Sequence, residues 1–333
     1  MVVKPSCWSK SLVLFACAML AACSPSGQAE QLIALAEHAR RNGQLPTAAE
    51  LYHRAAELQP QQFQTHYRTA LLSVQVNQLS RAEEHLRKAL ALKPNFGPAH
   101  VHLGIVLLQQ GHREDSRQAL LDALRCDARL PSAYYHLGLM AAQDGHFDAA
   151  EALFRKAISL DRRHQASYVR LGNLYVKQHR LTAALDVLQR AMRLNPRDPT
   201  TLFNLGLAYE GLDRDAHAVA AFTQAIALNP SYASARYNLG TLLLKRKDYQ
   251  AALEPLKEAI RLNPQWSDAW YNLAAVYAHM GERVNAVQSL KKAIDLNPAL
   301  ASEARQDSDF ESLRADADFS AMMETWDHTH SHD

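Results

Sequence analysis

The chain of 333 residues is 48% apolar and has 36 Lys and Arg residues against 34 Asp and Glu residues. By length alone we expect about two globular domains with a sizeable buried core. The balanced charge argues against nucleic acid or an anionic surface as the main partner.

The chain begins with a short basic stretch and an apolar run. Lys4 and Lys10 are the only charged residues in 1–22. The apolar run that follows Lys10 is too short to cross a bilayer, since a spanning helix needs about 20 residues. A basic front followed by a short apolar run is typical of a signal peptide, and we assign 1–22 to one.

The apolar run ends with Leu20, Ala21, Ala22 and Cys23. These residues resemble the lipobox of bacterial lipoproteins. The resemblance implies cleavage between Ala22 and Cys23, lipid attachment to Cys23 and no transmembrane helix in the mature chain. Ser24 follows instead of the aspartate of an inner-membrane retention signal, which favours the periplasmic face of an outer membrane. The alternative is an ordinary secretory signal with an incidental cysteine, although the small-residue rule for ordinary cleavage is poorly met before Cys23.

Cysteine usage fits an exported chain without disulfides. Cys7 and Cys17 leave with the signal peptide and Cys23 carries the lipid, so Cys126 is the one remaining candidate thiol. The stability of the mature chain must then come from packing. Cys126 occupies a position that the repeats described next usually fill with leucine, so we expect a buried small hydrophobic residue rather than a reactive thiol.

After a linker at 23–28, residues 29–300 repeat every 34 residues without insertion or deletion. Position 27 of each repeat is alanine, from Ala55 to Ala293, and position 20 is always small. Two apolar stripes at helical spacing in each repeat predict a pair of antiparallel helices. The eight repeats begin at residues 29, 63, 97, 131, 165, 199, 233 and 267.

Glycine and proline mark the ends of these helices. Position 15 is glycine in four repeats, and Asn77, Asp213, His179 and Lys247 hold it in the others. We expect a positive φ there, at a higher cost for His179 and Lys247. Proline at position 32 of six repeats ends the second helix. Glycine at position 8, as in Gly206, lets the two helix backbones approach closely.

The segment SDAWYNLAAVYAHMGERVNAVQSLKKAIDLNP at 267–298 and its seven siblings closely resemble tetratricopeptide repeats. The resemblance implies an all-α fold, a right-handed α-solenoid of eight helix-turn-helix repeats over 29–300, with the first helices lining a concave groove. Because each repeat contacts only its neighbours, we expect one elongated unit in place of two globular domains.

Residues 301–333 depart from the repeat and form an acidic C-terminal segment. It resembles the segment that closes many bacterial tetratricopeptide proteins. His328, His330 and His332 alternate near its end, which is compatible with weak metal binding, but a solvated tail is the favoured interpretation. The apolar residues expected to cap the last repeat are Phe310, Leu313, Phe319, Met322 and Met323.

No catalytic or phosphate-binding motif interrupts the repeats, and the 33 residues after them leave no room for a catalytic domain. His100 and His102 lie two apart on a predicted helix, so they point to nearly opposite sides and cannot chelate together. We expect His100 to be packed. His102 and His136 belong to successive repeats and lie too far apart to share a metal. We predict no enzymatic activity, no metal and no cofactor besides the lipid on Cys23.

The resemblance places repeat positions 2, 5, 6, 9, 12 and 13 on the groove, and the candidate binding residues lie at positions 5 and 6. Asn204, Asn238 and Asn272 at position 6 resemble the asparagine ladder by which some tetratricopeptide grooves hold an extended peptide. A side-chain amide both donates and accepts, so a row of them pairs with any main chain. The alternative is that these asparagines are family consensus residues that serve packing. The candidate groove residues are Arg68, His102, Tyr135, His136, Arg170, Phe203, Asn204, Tyr237, Asn238, Tyr271 and Asn272.

These features predict a lipid-anchored scaffold of the bacterial envelope. Its groove would bind partner proteins or extended peptides, with Arg68 and Arg170 selecting carboxylates, and so assemble pilus, secretion or cell-wall machinery. The alternative is a peptidoglycan- or glycan-binding lipoprotein, in which Tyr135, Tyr237 and Tyr271 would stack on sugars. A third hypothesis is an accessory subunit that regulates an enzyme.

Overall fold

The computed structural model describes residues 24–330, and side chains as far as residue 324. Within this range the regular elements are helices and no strand occurs. The predicted fold class, an all-α repeat solenoid, is confirmed. The signal peptide 1–22 and the predicted lipidation site Cys23 lie outside the described residues, and so does His332.

The chain divides into two compact units, and their boundary in the sequence falls between His164 and Gln165. We expected one elongated unit. The division is consistent with a repeat array, in which packing is local and no core is common to all repeats. The helices of the first unit are α1 Pro25–Arg41, α2 Leu45–Leu58, α3 Phe63–Gln75, α4 Leu79–Leu92, α5 Gly97–Gln109, α6 Arg113–Cys126, α7 Pro131–Gln143 and α8 Phe147–Leu160.

The second unit contains four further helix pairs and the C-terminal segment. A 3-10 helix at Ser308–Leu313 separates its last two α-helices. The helices are α9 Gln165–Lys177, α10 Leu181–Leu194, α11 Pro199–Glu210, α12 Asp215–Leu228, α13 Ala233–Lys245, α14 Tyr249–Leu262, α15 Ser267–His279, α16 Arg283–Leu296, α17 Leu300–Gln306 and α18 Ala317–His330.

The helices keep the phase of the sequence repeat, except at the start. The first helices of repeats two to eight begin at position 1, and each second helix begins at position 17. Helix α1 instead begins at Pro25, inside the stretch that we expected to be a linker. Ser24 caps it by accepting a hydrogen bond from the Gly27 N–H at 3.3 Å, and proline suits the first helical position. The segment before the first repeat is therefore helical and spans less distance than an extended linker.

The turn between the two helices of every repeat has a residue with positive φ at position 15. The four glycines there have φ from 74° to 87°. Asn77, His179, Asp213 and Lys247 have φ between 54° and 62°, which confirms the prediction. A residue with a Cβ is strained in this region, and histidine and lysine lack the short polar side chain that makes it tolerable for Asn and Asp.

The core of each repeat contains the small residues at positions 20 and 27 and the large residue at position 24. The alanines at position 27 are fully buried in all eight repeats, from Ala55 to Ala293. The position-8 glycines face the position-24 side chains, since a Cβ on Gly104 would lie 2.8 Å from Leu120 Cγ and one on Gly240 would lie 2.6 Å from Leu256 Cγ. These glycines thus make room for a large side chain. They also let the two helix backbones approach closely, as expected, since a Cβ on Gly104 would lie 3.2 Å from the Ser116 carbonyl oxygen.

The C-terminal segment continues the helical packing of the second unit. Phe310, Leu313 and Phe319 are buried in one cluster with Leu290 and Met323, and Met322 packs against the cluster. They cover the end of the last repeat. Helix α18 runs to His330, where the sequence suggested a solvated tail.

Candidate functional site

The predicted groove residues lie on the first helices of the repeats. We call the surface formed by these helices in each unit its first-helix face. Position 5 tyrosines link successive repeats on this face: the Tyr67 hydroxyl lies 3.2 Å from His102 Nδ1, and the Tyr237 hydroxyl lies 3.3 Å from Asn272 Nδ2. The side chain at position 5 of one repeat therefore contacts the side chain at position 6 of the next repeat, in addition to facing outward.

In the first unit, Arg68 is exposed and His102 is half-buried. The His102 ring donates from Nδ1 to the Pro98 carbonyl at 2.8 Å, because a carbonyl can only accept. Burial lowers the pKa of His102. The imidazole is therefore neutral at pH 7 and contributes no positive charge to this face.

Tyr135 and His136 are half-buried in an aromatic cluster. The Tyr135 ring lies 5.0 Å from the His136 ring, 5.3 Å from the His164 ring and 6.1 Å from the Phe154 ring, measured between centroids. Burial, followed by the charges of His164 and His102, lowers the pKa of His136 to about 4. Both residues pack against neighbouring rings, and His136 contributes no positive charge at pH 7.

In the second unit, the three asparagines have different environments. Asn204 is buried, with 2% of its surface exposed, and its Oδ1 accepts a hydrogen bond from Asn173 Nδ2 at 3.0 Å. Asn238 is half-buried and donates from Nδ2 to the Ser234 carbonyl at 2.7 Å. Asn272 donates from Nδ2 to Thr241 Oγ1 at 3.0 Å. Each amide thus has an intramolecular partner.

These contacts use the amide donors of Asn238 and Asn272 but leave their acceptors free. The Oδ1 atoms of Asn238 and Asn272 accept no hydrogen bond from any residue within the described range. An extended peptide offers N–H groups that could pair with them. Asn204 contributes to packing instead. The asparagine ladder stays a prediction. Within it, Asn238 and Asn272 are the two residues whose side-chain oxygens are open to a ligand.

The aromatic candidates of the second unit are mostly covered. The Phe203 ring lies 5.0 Å from the Tyr232 ring, and the Tyr237 ring stacks on Trp266 at 4.2 Å. Tyr271 is buried, and its hydroxyl donates to Asp307 Oδ2 at 2.7 Å. Tyr271 therefore attaches the C-terminal segment to the last repeat and does not line an open groove, because that segment lies where the next repeat would be.

Charged groups complete this face of the second unit. Arg170 and Lys245 are exposed, and Lys245 Nζ lies 3.6 Å from Asp213 Oδ1. Glu210 is half-buried, and burial raises its pKa. Sequence reasoning did not single out Asn173, Thr241 or Glu210. They occupy positions 9 and 12, which the resemblance also assigns to the groove, so the repeat register was the signal that could have found them.

The other residues considered as metal ligands do not form a metal site within the described range. Among residues 24–324, no three His, Cys, Asp or Glu side chains are arranged to hold a metal ion. His100, which we expected to be packed, is half-buried and its Nε2 donates to the Pro94 carbonyl at 2.8 Å. Cys126 is half-buried rather than fully buried.

Three histidines form a chain between the first two repeats. His66 Nδ1 lies 3.0 Å from His85 Nδ1, and His85 Nε2 lies 2.9 Å from His53 Nδ1. His66 Nε2 donates to the Pro60 carbonyl at 3.1 Å. This donation fixes the tautomers, so that His85 donates to His66 and accepts from His53. Both His85 nitrogens are engaged with different rings, so the lone pairs do not point to one metal position.

Family models assign the chain to the tetratricopeptide repeats. Models described as tetratricopeptide repeat match residues 171–237, 102–166 with 216–265, and 267–300. The model of the middle tetratricopeptide-like domain of cilia and flagella-associated protein 70 matches residues 32–129. Together these matches cover most of residues 32–300.

Solved structures show the same fold. The Cut9–Hcn1 hetero-tetramer of the APC/C has a TM-score of 0.61 at 18% identity, covering 85% of this chain and 52% of that chain. Pseudomonas aeruginosa pilF has a TM-score of 0.57 at 22% identity, covering 66% and 96%. YrrB, a tetratricopeptide protein with a peptide-binding site, has a TM-score of 0.49 at 25% identity, covering 57% and 100%.

No curated protein matches the chain. In the part of the chain that the structure describes, no helix combines the length and the apolar character needed to span a membrane. From the family models, the chain belongs to the tetratricopeptide repeat proteins.

Proposed function

We propose that the protein is a lipid-anchored scaffold of the bacterial envelope that binds extended segments of partner proteins on the first-helix face of its second unit. The family supports this proposal, because stacked helix pairs present extended concave binding surfaces. The observation that carries it is the pair of free side-chain oxygens on Asn238 and Asn272, one repeat apart.

The chemistry of this face defines the segment that it would bind. Peptide N–H groups donate to the oxygens of Asn238 and Asn272, while the exposed Arg170 attracts a carboxylate. Glu210 stands at the same face, and burial makes its carboxyl harder to ionise. The bound segment is therefore extended, uses its main chain, and carries an acidic residue near Arg170.

A capture experiment tests the groove. Asn238→Leu removes the acceptor and breaks a hydrogen bond only within its own helix. Immobilised protein carrying this change should retain far less envelope partner than the unchanged protein. Gln224→Leu on the exposed surface of α12 is the matched control and should retain the partner. Equal retention by both variants would contradict the groove assignment.

The lipid anchor rests on Leu20, Ala21, Ala22 and Cys23. With α1 beginning at Pro25, its first four residues contribute about 6 Å of helix between the anchor and the first repeat, at 1.5 Å per residue. Partners would then be gathered at the membrane surface. Cys23→Ser should abolish incorporation of a labelled fatty acid and release the protein from the membrane fraction without changing its thermal unfolding. Continued labelling in Cys23→Ser would refute the anchor.

The glycan-binding alternative is less well supported by the geometry. Sugar stacking needs an open aromatic face, but Tyr237 is stacked on Trp266, Tyr135 is packed among histidines, and Tyr271 is buried. Binding to purified cell-wall sacculi distinguishes the two proposals, since the scaffold proposal predicts none.

A further inference from the structure

A second groove lies between the second helices of the last two repeats, where it is closed by positions 4, 7 and 11 of α15. It has a volume of about 470 Å³ and is lined by α14, α15 and α16. This volume lies in the usual range of ligand pockets. The groove residues come from repeat positions that differ from those of the proposed peptide groove, so the two surfaces can be varied separately.

Aromatic and aliphatic side chains form the apolar part of this groove. Trp270 and Tyr277 of α15 are half-buried and line it together with Ile260 and Leu273. The indole N–H of Trp270 donates to the Pro264 carbonyl at 3.0 Å, which fixes the orientation of the ring. An apolar side chain of a ligand would find a pre-formed aromatic contact there.

The charged side chains of the groove are all basic. Lys257, Arg261 and Lys292 line it, and no acidic residue of the described range does. Arg261 is paired with Glu258 at 2.8 Å, whereas Lys257 and Lys292 have no carboxylate partner in the part of the chain that is described. The Lys257 ammonium lies 5.4 Å from the centroid of the Tyr277 ring. Two unpaired cations thus flank the aromatic contact.

The corresponding groove between the first two repeats has a different chemistry at the same repeat positions. Glu57 and Glu84 replace Arg261 and Gln288, while His66 and His85 replace Trp270 and Ser289. There the histidine rings line the groove and bond to one another. In the last two repeats, Trp270 and Ser289 line the groove instead. Lys88 occupies the position of Lys292, whereas His53 and His66 replace Lys257 and Trp270. Of these two grooves, the one in the last two repeats alone has two lysines beside an indole ring.

We propose that this groove is a second binding site, which takes an acidic peptide segment with an apolar side chain. The carboxylates pair with Lys257 and Lys292, and the apolar side chain packs on Trp270 and Tyr277. The excess of positive charge in the groove complements an acidic segment and opposes a basic one. A partner held on the first-helix face leaves this site free, so the scaffold can hold two segments at once.

Fluorescence anisotropy of a labelled peptide tests the proposal on the full chain at low salt. The probe is the fluorescein-labelled peptide EDELED, and its comparison is QNQLQN, in which each acid is replaced by its amide. We expect EDELED to bind and QNQLQN to bind at least about tenfold more weakly. Absence of EDELED binding, or equal binding of the two peptides, would overturn the proposal.

A pair of neighbouring lysines provides the control. Lys292→Glu should weaken EDELED binding by about tenfold or more, while Lys291→Glu, an exposed residue that does not line the groove, should change it by less than about twofold. Equal losses in the two variants would mean general charge attraction and would overturn the site. Asn238→Leu should leave EDELED binding intact, which separates this test from that of the proposed peptide groove.

Discussion

The side-chain amide of Asn173 donates a hydrogen bond to Oδ1 of Asn204 at 3.0 Å, which joins the first helices of two successive repeats. Asn204 is 2% exposed. One member of the predicted asparagine ladder is therefore a structural residue, and its environment differs from that of Asn238, which is half-buried and bonds within its own helix.

Replacing these two asparagines should separate stability from binding. Asn204→Ala should lower the free energy of unfolding by about 1–2 kcal/mol, because it breaks a buried hydrogen bond and leaves a small cavity. Asn238→Ala should lower it by less than about 0.5 kcal/mol, since that amide bonds only to its own helix. Urea unfolding measures both, and equal losses would contradict the distinction.

The histidine chain should make the first unit sensitive to acid. Burial, followed by the charges of His66 and His53, lowers the pKa of His85 to about 4, and burial lowers that of His66. An ordinary histidine has a pKa of about 6.5. Below pH 6.5 the histidines of the unfolded chain bind protons, whereas His85 in the folded chain is protonated only near pH 4. The free energy of unfolding therefore falls as the pH decreases through that window.

The variant His85→Gln should reduce this acid sensitivity. Glutamine keeps a donor and an acceptor but does not titrate, so stability should fall less steeply between pH 6.5 and pH 4. The charged groups lining this groove, Glu57, Glu84 and Lys88, are unchanged in the variant. Thermal unfolding across this pH range measures the slope. His112→Gln, an exposed control, should leave the slope unchanged. An unaltered slope in His85→Gln would contradict the assignment.

Relieving the backbone strain at Lys247 should stabilise the second unit. Lys247 is exposed with φ of 62°, so Lys247→Gly removes an unfavourable conformation and no buried contact. We expect a gain of about 0.5–1 kcal/mol in unfolding free energy. The converse change, Gly111→Ala at φ of 87°, meets no atom within 4 Å and should cost a similar amount through strain alone. A loss of stability in Lys247→Gly would refute this account.

The glycines at position 8 should resist even the smallest substitution. In Gly240→Ala the new Cβ would lie 2.6 Å from Leu256 Cγ, inside a fully buried contact. We expect a loss of about 1–3 kcal/mol from overpacking, despite the better helix propensity of alanine. Chemical denaturation measures the loss. Gly240→Ala should cost less when it is made in a Leu256→Ala background, which would identify crowding as its cause, and an equal loss in both backgrounds would contradict it.

The sequence predicted the fold well because its signals act locally. Helix pairs, positive φ at position 15 and burial at position 27 each follow from single residue types recurring in phase. The start of α1 at Pro25 was missed because the cap formed by Ser24 lies outside the repeat pattern.

The candidate site was less predictable because its residues interact across repeats. Position 6 faces both the groove and the neighbouring helix, and only the contact partner decides between them, as Asn173 does for Asn204. Tyr271 lies next to the C-terminal segment, so its hydroxyl reaches Asp307 instead of a repeat residue. The repeat register therefore predicts where a side chain lies on its helix, but not which residue it contacts.

Site-specific photo-cross-linking in native envelopes tests most directly whether partners bind on the first-helix face of the second unit. A photoreactive side chain at position 238 should capture one partner reproducibly, whereas the same group at position 224, exposed on α12, should capture none. Identical cross-linked products from both positions, or products only from position 224, would contradict the account.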